Sequence, residues 1–504
     1  MFKKILIANR GEIAVRVIRA CHELDIEAVA LFSEADRKAL HVRYADEAYC
    51  VGPAPSSQSY LQVEKILEVA KLSGADAIHP GYGFLAENPR FAKACEDSGV
   101  VFIGPRWKTI EQMGSKVKAR QTMMASGVPV VPGTEEPLRD VEHAKEVAEE
   151  VGYPVFLKAA MGGGGKGMRL VREPSQLSAA FRGAQSEAKS AFGDDSVYIE
   201  KALEKPRHIE FQILADSHGD VVHLFERECS IQRRHQKLIE ETPSTFLDPM
   251  IRQKMGEVAK QASKAAQYQN AGTIEFLVDK HRNFYFLEMN TRIQVEHPIT
   301  ERVVGVDLVK AQIEIATGAP LPFKQQNLVQ TGHAIECRIC AEDPANKFLP
   351  SPGTIRGLRI PGGFGVREDT GVYEGYEISV FYDPMLSKLI AWGEDRTDAI
   401  LRMTRCLEEY QVRGVKTNIP FHLWVMRNKH FLEGDYDTDF IDTHFSKENL
   451  IQGTHHKEVA WIGAALEAWH RDQKRLRMML SVPENGQTES PWKLQGRREA
   501  LGLE

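Results

Sequence analysis

Apolar residues recur with two periods along residues 1–115. ILIAN (5–9) is an apolar run, residues 11–24 place Ile13, Val17, Ile18 and Cys21 at helical spacing, and EAVALFS (27–33) is a second apolar run. A helix over 61–70, a strand at ADAIHPG, a helix over 89–96 and a strand at VVFIG continue the alternation, which predicts a doubly wound α/β unit. Asn9, Arg10 and Gly11 fall at the carboxyl end of its first strand, but GxGxxG is missing and no dinucleotide site is read. The turn-rich VPVVPGTEEP (128–137) marks a boundary, and a small α/β segment runs from there to about residue 203. Hinged at both ends, that segment is expected to be a mobile lid. Near the end, Val459, Ile462, Leu466, Trp469 and Leu476 share one face of a helix whose other face is charged.

The most informative pattern lies at 284–298, FYFLEMNTRIQVEHP. Glu288, Asn290, Arg292, Gln294 and Glu296 share one parity, and Leu287, Met289, Ile293 and Val295 the other. On a strand the first set faces one way and the second is core. Upstream, TIEFLVD (273–279) alternates likewise and is joined by the polar turn Lys280, His281, Arg282, Asn283, so the two read as a β-hairpin. With the turn centred between His281 and Arg282, Glu275 faces Glu288 and Thr273 faces Asn290. Opposed carboxylates with β carbons about 5 Å apart repel each other, which makes sense chiefly with a cation between them. Oxygen ligands with an amide nearby suit Mg²⁺ or Mn²⁺ rather than zinc. Glu296 reaches that site only if the chain bends after Arg292, because a straight strand would hold it roughly 26 Å from Glu288.

A bound Mg²⁺ usually serves phosphates, and residues 152–171 supply a cradle. An apolar strand ends in Lys158, a glycine run includes Gly164 and Gly165, and Lys166 and Gly167 precede a second strand. Glycines let backbone N–H groups approach an anion without a Cβ in the way. The loop is not of the GxxxxGK[ST] type, since a strand rather than a helix follows it.

Composition narrows the class. A chain of 504 residues is too long for one ordinary core and predicts two to four domains. With 42% hydrophobic and 27% charged residues it reads as soluble and globular. A net charge of −6 without basic blocks gives no reason to expect nucleic acid. No apolar run reaches membrane-span length, and MFKKILIANRGE turns polar after one strand, so no signal peptide is read and a cytoplasmic location is expected. Seven scattered cysteines suit a reducing compartment, and Cys337 and Cys340, three apart on a strand, point to opposite faces.

Taken together, NRGEIAVRVIRAC, HPGYGFLAEN, KAAMGGGGKGM, EKALEKPRHIEFQ, ERECSIQRRHQK, GTIEFL, EMNTRIQVEHP, ECRICAEDP and PGGFGVRED resemble the biotin carboxylases of the ATP-grasp superfamily, over roughly residues 1–445. The order and specificity of EMNTRIQVEHP, QRRHQK and GGGGKGM carry the resemblance. It implies an N-terminal α/β domain (1–115), an ATP-grasp domain (116–330, lid about 130–203) and a C-terminal α+β domain (331–447). Residues 448–504 would be a helical tail for partner docking. The family's activity is ATP- and bicarbonate-dependent carboxylation of biotin through carboxyphosphate, within an acetyl-CoA or pyruvate carboxylase.

The resemblance also implies site roles. Lys116, which by sequence alone reads as an exposed helix lysine, would contact ATP phosphate together with Lys158, Gly164 and Gly165. Glu200, Lys201 and Leu203 would grip adenine, and His208, His235, Gln294 and Val295 would also bind the nucleotide or its surroundings. Glu275, Glu288 and Asn290 would hold Mg²⁺ or Mn²⁺. Lys237 would serve the γ-phosphate and bicarbonate, Arg292 bicarbonate, Glu296 as base and Arg338 the biotin enolate. Glu87 is a candidate contact near biotin. Some members have Ser at Ala160 or Arg at Lys166, and neither difference removes a backbone donor or a charge. Arg16, Arg19, Glu23, Phe364 and Arg367 match homodimer-interface positions. No MKM triplet occurs, so the biotin-bearing lysine is expected on a carrier protein or domain, and a further expected partner is a carboxyltransferase. The alternatives are another ATP-grasp ligase and a non-catalytic nucleotide-binding protein. TRIQVEH and Arg338 argue against the first, and the intact metal pair with both lysines against the second.

Overall fold

Five parallel strands in the order β3-β2-β1-β4-β5 open the chain: β1 (Lys4–Ile7), β2 (Glu27–Ser33), β3 (Glu47–Gly52), β4 (Ala77–His79) and β5 (Val101–Phe102). Side chains of β1 alternate between two cores. Ile5 and Ile7 pack with Ile13, Val17 and Ile18 of helix Gly11–Glu23, whereas Leu6 and Ala8 pack with Ile66 and Val69 of helix Val63–Ser73. Burial on both faces is what a doubly wound unit requires. Its edge strand β3, EAYCVG, buries only Val51 and was not read as a strand.

The computed structural model describes residues 1–134, 136–160, 168–450 and 455–480, together with Ser490, Trp492 and Gln495. Its two compact units are Met1–Lys447 and Glu448–Glu504.

Within the first unit, helix Lys116–Ala125 precedes a small antiparallel sheet of β6 (Val155–Ala159), β7 (Arg169–Val171) and β8 (Val197–Lys201), ordered β7-β6-β8. Helices Val141–Val151 and Pro174–Phe192 complete it around a core of its own that includes Leu157, Val171, Leu177, Phe181 and Ile199. The larger sheet consists of β9 (Arg207–Ala215), β10 (Val221–Arg233), β11 (Gln236–Thr242), β12 (Asn270–Val278), β13 (Phe284–Asn290), β14 (His333–Cys340) and strands Met385–Gly393 and Val366–Thr370. All are antiparallel, in the order β13-β12-β9-β10-β11-β14 followed by those two. This one sheet therefore runs across position 330/331.

β9 shows why the sheet has a dry back and a chemical front. Ile209, Phe211, Ile213 and Ala215 point to the back, against Met255, Ala259 and Ala262 of helix Pro249–Ala265. His208, Glu210 and Gln212 have the other parity and point to the front.

The second unit contains helix His455–Leu480, on which Trp461, Ile462, Leu466 and Trp469 are exposed. This is the helix expected from the apolar spacing; the side chains of Val459 and Leu476 lie outside the described residues. Among the described residues, no helix is long and apolar enough to cross a membrane.

Candidate active site

The front of the large sheet carries a row of charges made by strand register. Glu288 of β13 lies opposite Glu275 of β12, Glu275 opposite Glu210 of β9, and Glu210 opposite Arg227 of β10. The expected Glu275–Glu288 and Thr273–Asn290 pairings are present. A bulge lies on the turn side of Glu275, where Phe276 pairs with Phe286 and Leu287 is the extra residue. It corrects the expected parity: Phe284 and Phe286 are core with Met289, while Leu287 lines the cleft.

Three stacked carboxylates need cations. The fully buried Arg227 donates to Glu210 at 2.5 Å, Gln212 at 2.7 Å, and Thr300 and Thr273 at 3.0 and 3.1 Å. Lys237 Nζ lies 2.5 Å from Glu210, 2.8 Å from Glu275 and 2.7 Å from Glu296. Burial disfavours its charge, but those three carboxylates prevail and hold its proton affinity far above the ordinary lysine value. His208 Nε2 stands 2.9 Å from Glu275 Oε2. Burial opposes ionisation of Glu275 too, yet Lys237 and His208 hold its carboxyl well below the usual range. Glu288 has the reverse balance: burial and then the charge of Glu275 push its carboxyl up, against the pull of Lys116.

Strand β13 stops at Asn290, and residues 291–296 form a bend that begins two residues earlier than expected, so that Arg292 lies within it. Glu87 clasps the bend, accepting from the Thr291 amide at 3.0 Å and Arg292 Nε at 2.8 Å. Arg292 also donates to Gln294 Oε1 at 2.7 Å and Asn290 Oδ1 at 3.1 Å, and Gln294 Nε2 donates to Glu275 at 3.1 Å. Lys388 Nζ reaches the Val295 carbonyl at 2.9 Å. Glu296 ends the bend as the residue before helix His297–Val304, fully buried, with Oε1 2.7 Å from Lys237 and Oε2 2.9 Å from Arg338 of β14. Arg292, Gln294 and Glu296 thus do not share a strand, as their alternation suggested; a turn gathers them. Val295 lines the cleft rather than the core, and Ile293 is buried as expected.

The small sheet supplies the opposite wall of a cleft of about 1410 Å³, with the loop at Tyr82 and Gly83 along one side. Lys158 pairs with Glu200 at 2.5 Å, and Arg120 lies 3.6 Å from the same carboxylate. Lys116 begins its helix inside the cleft, not on an exposed face, and burial lowers its proton affinity. Lys201 and Leu203 line the cleft, although the Lys201 ammonium turns to the carbonyls of Gly152 and Tyr153 at 2.8 and 2.9 Å. Gly164, Gly165 and Lys166 lie outside the described residues. Arg234 and His235 form the β10–β11 turn with φ of 49° and 65°, and both line the cleft. Arg233 leaves the basic cluster, packing over the Phe348 ring at 4.6 Å.

The donor set fits a hard divalent cation: Glu288 lines the cleft directly opposite Glu275, and the nearby charge of Glu275 penalises its ionisation unless a cation joins them. As oriented, Asn290 gives its nitrogen to Glu275 at 2.9 Å and its oxygen to Arg292, so ligation by this residue requires the amide to turn over. Sequence reasoning missed Arg227, Lys388, the grip of Glu87 on Arg292 and Glu240 on Arg338, all of which depend on cross-strand or cross-domain register.

Three family models match the chain: biotin carboxylase, N-terminal domain, at residues 1–110; carbamoyl-phosphate synthase L chain, ATP binding domain, at 115–324; and biotin carboxylase C-terminal domain, at 336–443. A pyruvate carboxylase subunit from Methanothermobacter thermautotrophicus is 58% identical over 442 residues, 88% of this chain and 90% of that one. A biotin carboxylase from Halalkalibacterium halodurans is 54% identical over 444 residues, covering 88% and 98%. The chain belongs to the biotin carboxylase family. It is accordingly an ATP-dependent ligase with the fold of biotin carboxylases. The dimeric biotin carboxylase domain of Hydrogenobacter thermophilus 2-oxoglutarate carboxylase, solved with MgADP, ADP and bicarbonate, superposes with a TM-score of 0.86 at 49% identity, over 90% of this chain and 99% of that one.

Proposed function

We propose that this biotin carboxylase uses ATP and bicarbonate to carboxylate biotin on a separate carrier protein, by way of carboxyphosphate, for a pyruvate or acyl-CoA carboxylase. The observation that carries the reading is Glu296, bridged by Lys237 at 2.7 Å and Arg338 at 2.9 Å. A candidate base thereby joins the phosphate side of the cleft to an arginine on its far side. Mg²⁺ or Mn²⁺ held by Glu275 and Glu288, with Asn290, would neutralise phosphate charge. Lys116, Lys158, His235 and the glycine loop place the triphosphate, and Glu200, Lys201 and Leu203 place adenine. Arg292 presents a planar fork to bicarbonate, already oriented by Glu87. Glu296 takes the bicarbonate proton, and the bicarbonate oxygen attacks the γ-phosphorus, releasing ADP. Carboxyphosphate breaks to CO₂ and phosphate, the phosphate takes the ureido N–H proton, and Arg338 stabilises the negative charge on the ureido oxygen while the ureido nitrogen attacks CO₂.

The reading is tested by ATP cleavage measured with and without bicarbonate and free biotin. Dependence on both supports it, and cleavage indifferent to bicarbonate contradicts it. The keto acid or acyl-CoA would be chosen by the carboxyltransferase, not by this cleft.

The metal assignment gives a prediction. Glu288→Gln keeps shape and removes a carboxyl that burial and Glu275 already push toward neutrality, so the fold should tolerate it. The Mg²⁺ concentration for half-maximal rate should rise by at least about 100-fold. An unchanged Mg²⁺ titration would remove Glu288 from the metal site.

We also propose a homodimer through the surface where Arg16 and Arg367 share Glu301, at 2.9 and 2.6 Å, beside the 76% exposed Phe364, with Arg19 and Glu23 nearby on the first helix. The tail is proposed to dock a partner protein through the exposed face of Trp461, Ile462, Leu466 and Trp469. Truncation after Lys447 should then leave carboxylation of free biotin within about twofold, as the cleft residues precede it. Loss of folding on truncation would instead make the helix part of the core.

A further inference from the structure

Beside Arg338, the sheet carries a carboxyl pair that the reaction above does not use. Glu240 of β11 and Glu336 of β14 stand directly opposite each other, and both are fully buried. Such neighbours have β carbons about 5 Å apart. Arg338 Nε and Nη2 both approach Glu240 Oε1 at 2.6 Å. Glu240 Oε2 and both oxygens of Glu336 have no hydrogen-bond partner among the described residues. Helix His297–Val304 packs on β11, β14 and strand Met385–Gly393, and Ile299, Val303, Ala334 and Ile390 form an apolar cluster there. Glu336 lies across from Ile390.

Three unsatisfied carboxylate oxygens in so dry a place cannot belong to two anions without a heavy desolvation cost, and like charges this close do not both ionise. We propose that Glu240 and Glu336 share one proton, with Glu336 the neutral acid that donates to Glu240 Oε2, and that the pair is a positioning device for the Arg338 guanidinium. The charged surroundings agree. Arg338 from β14 and Lys237 from β11 face the pair, as does Glu296 from the bend. Lys388 from the neighbouring strand also faces Glu336, but it sits 3.2 Å from Glu12 and 3.9 Å from Asp369. His297 on the covering helix is kept neutral by burial and by Lys388. Burial pushes Glu240 up to about 7 against the pull of Arg338; burial and then the charge of Glu240 push Glu336 well above the carboxylate range.

The shared proton sets how much of the Arg338 charge is free. With one negative charge on the pair and one on Glu296, the guanidinium is held at two edges yet can still favour a developing ureido oxygen. A second charge on the pair would compete with that oxygen. Carboxybiotin formation should therefore fall at alkaline pH, as the pair gives up its proton, more steeply than bicarbonate-dependent ATP cleavage does.

This inference rests on the proposed carboxylation, and its test is separable from that reading. The infrared spectrum of the full chain at pH 7 reports protonated carboxyl groups directly. The difference between wild type and Glu336→Gln should show loss of a protonated carboxyl and no loss of a carboxylate. Glu240→Gln should lower carboxybiotin formation by on the order of tenfold or more, chiefly in kcat, with bicarbonate-dependent ATP cleavage reduced far less. Glu336→Gln, which imitates the neutral acid, should lose less and flatten the alkaline limb. Loss of an ionised carboxylate from the Glu336→Gln spectrum would overturn the proposal even if Glu240→Gln failed to fold, and so would equal loss of both activities in a folded Glu240→Gln chain. Absence of carboxybiotin formation by the wild-type chain would instead remove the reading beneath it, leaving the infrared result to stand alone.

Discussion

Glu296→Gln is expected to abolish bicarbonate-dependent ATP cleavage and biotin carboxylation together, each by about 10²–10⁴-fold, the range for removal of a general base. The carboxylate is fully buried, and although burial opposes its charge, Lys237, Arg338 and Arg227 hold its proton affinity well below the usual carboxylate value. It is therefore ionised before substrate arrives, but too stabilised to be an effective base. The geometry removes that difficulty. Lys237 engaged by the γ-phosphate and Arg338 drawn toward biotin would each give up part of their hold on Glu296, so its basicity rises as the site fills. Gln keeps the shape, Lys237 retains Glu210 and Glu275, and Arg338 retains Glu240, so the variant should still fold and bind nucleotide. Phosphate release that survives while only carboxybiotin disappears would show that Glu296 does not act on bicarbonate.

Arg338→Gln should separate the two half-reactions. Its role begins when charge develops on the ureido oxygen, and loss of one such donor costs on the order of 3 kcal/mol, about a hundredfold or more in rate. Much of the slow bicarbonate-dependent ATP cleavage should remain. The comparison needs phosphate and carboxybiotin measured in the same samples, because the substitution also leaves Glu240 and Glu296 without a shared cation. Equal loss of both activities would place Arg338 in the ATP site.

The parts of this site that could be read from sequence were those written as local alternation. Glu275 and Glu288 were paired because a short polar turn fixes hairpin register, and the pairing survived since the bulge falls on the turn side of it. That same bulge defeated the parity argument for Phe284, Phe286 and Leu287, as one extra residue exchanges the faces of a strand. A bend was demanded from distance after Arg292, but the strand already ends at Asn290, and its course could not be drawn because it is held from afar: Glu87 comes from the N-terminal α/β region and Lys388 from nearly a hundred residues downstream. Glu240 and Glu336, by contrast, look in sequence like ordinary strand acids. Only the β11–β14 register brings them together behind Arg338. The joining of strands on either side of residue 330 into one sheet was likewise invisible, since sheet neighbours so far apart leave no local period.

Carboxyphosphate is the central claim, and heavy-oxygen-labelled bicarbonate tests it most directly. The full chain, ATP, Mg²⁺ and free biotin would be combined, and the released phosphate and carboxybiotin analysed by mass spectrometry. If the bicarbonate oxygen attacks the γ-phosphorus, each phosphate released in step with carboxybiotin carries one labelled oxygen. Phosphate free of label, at the same yield of carboxybiotin, would mean that water and not bicarbonate receives the phosphoryl group, and would contradict the mechanism.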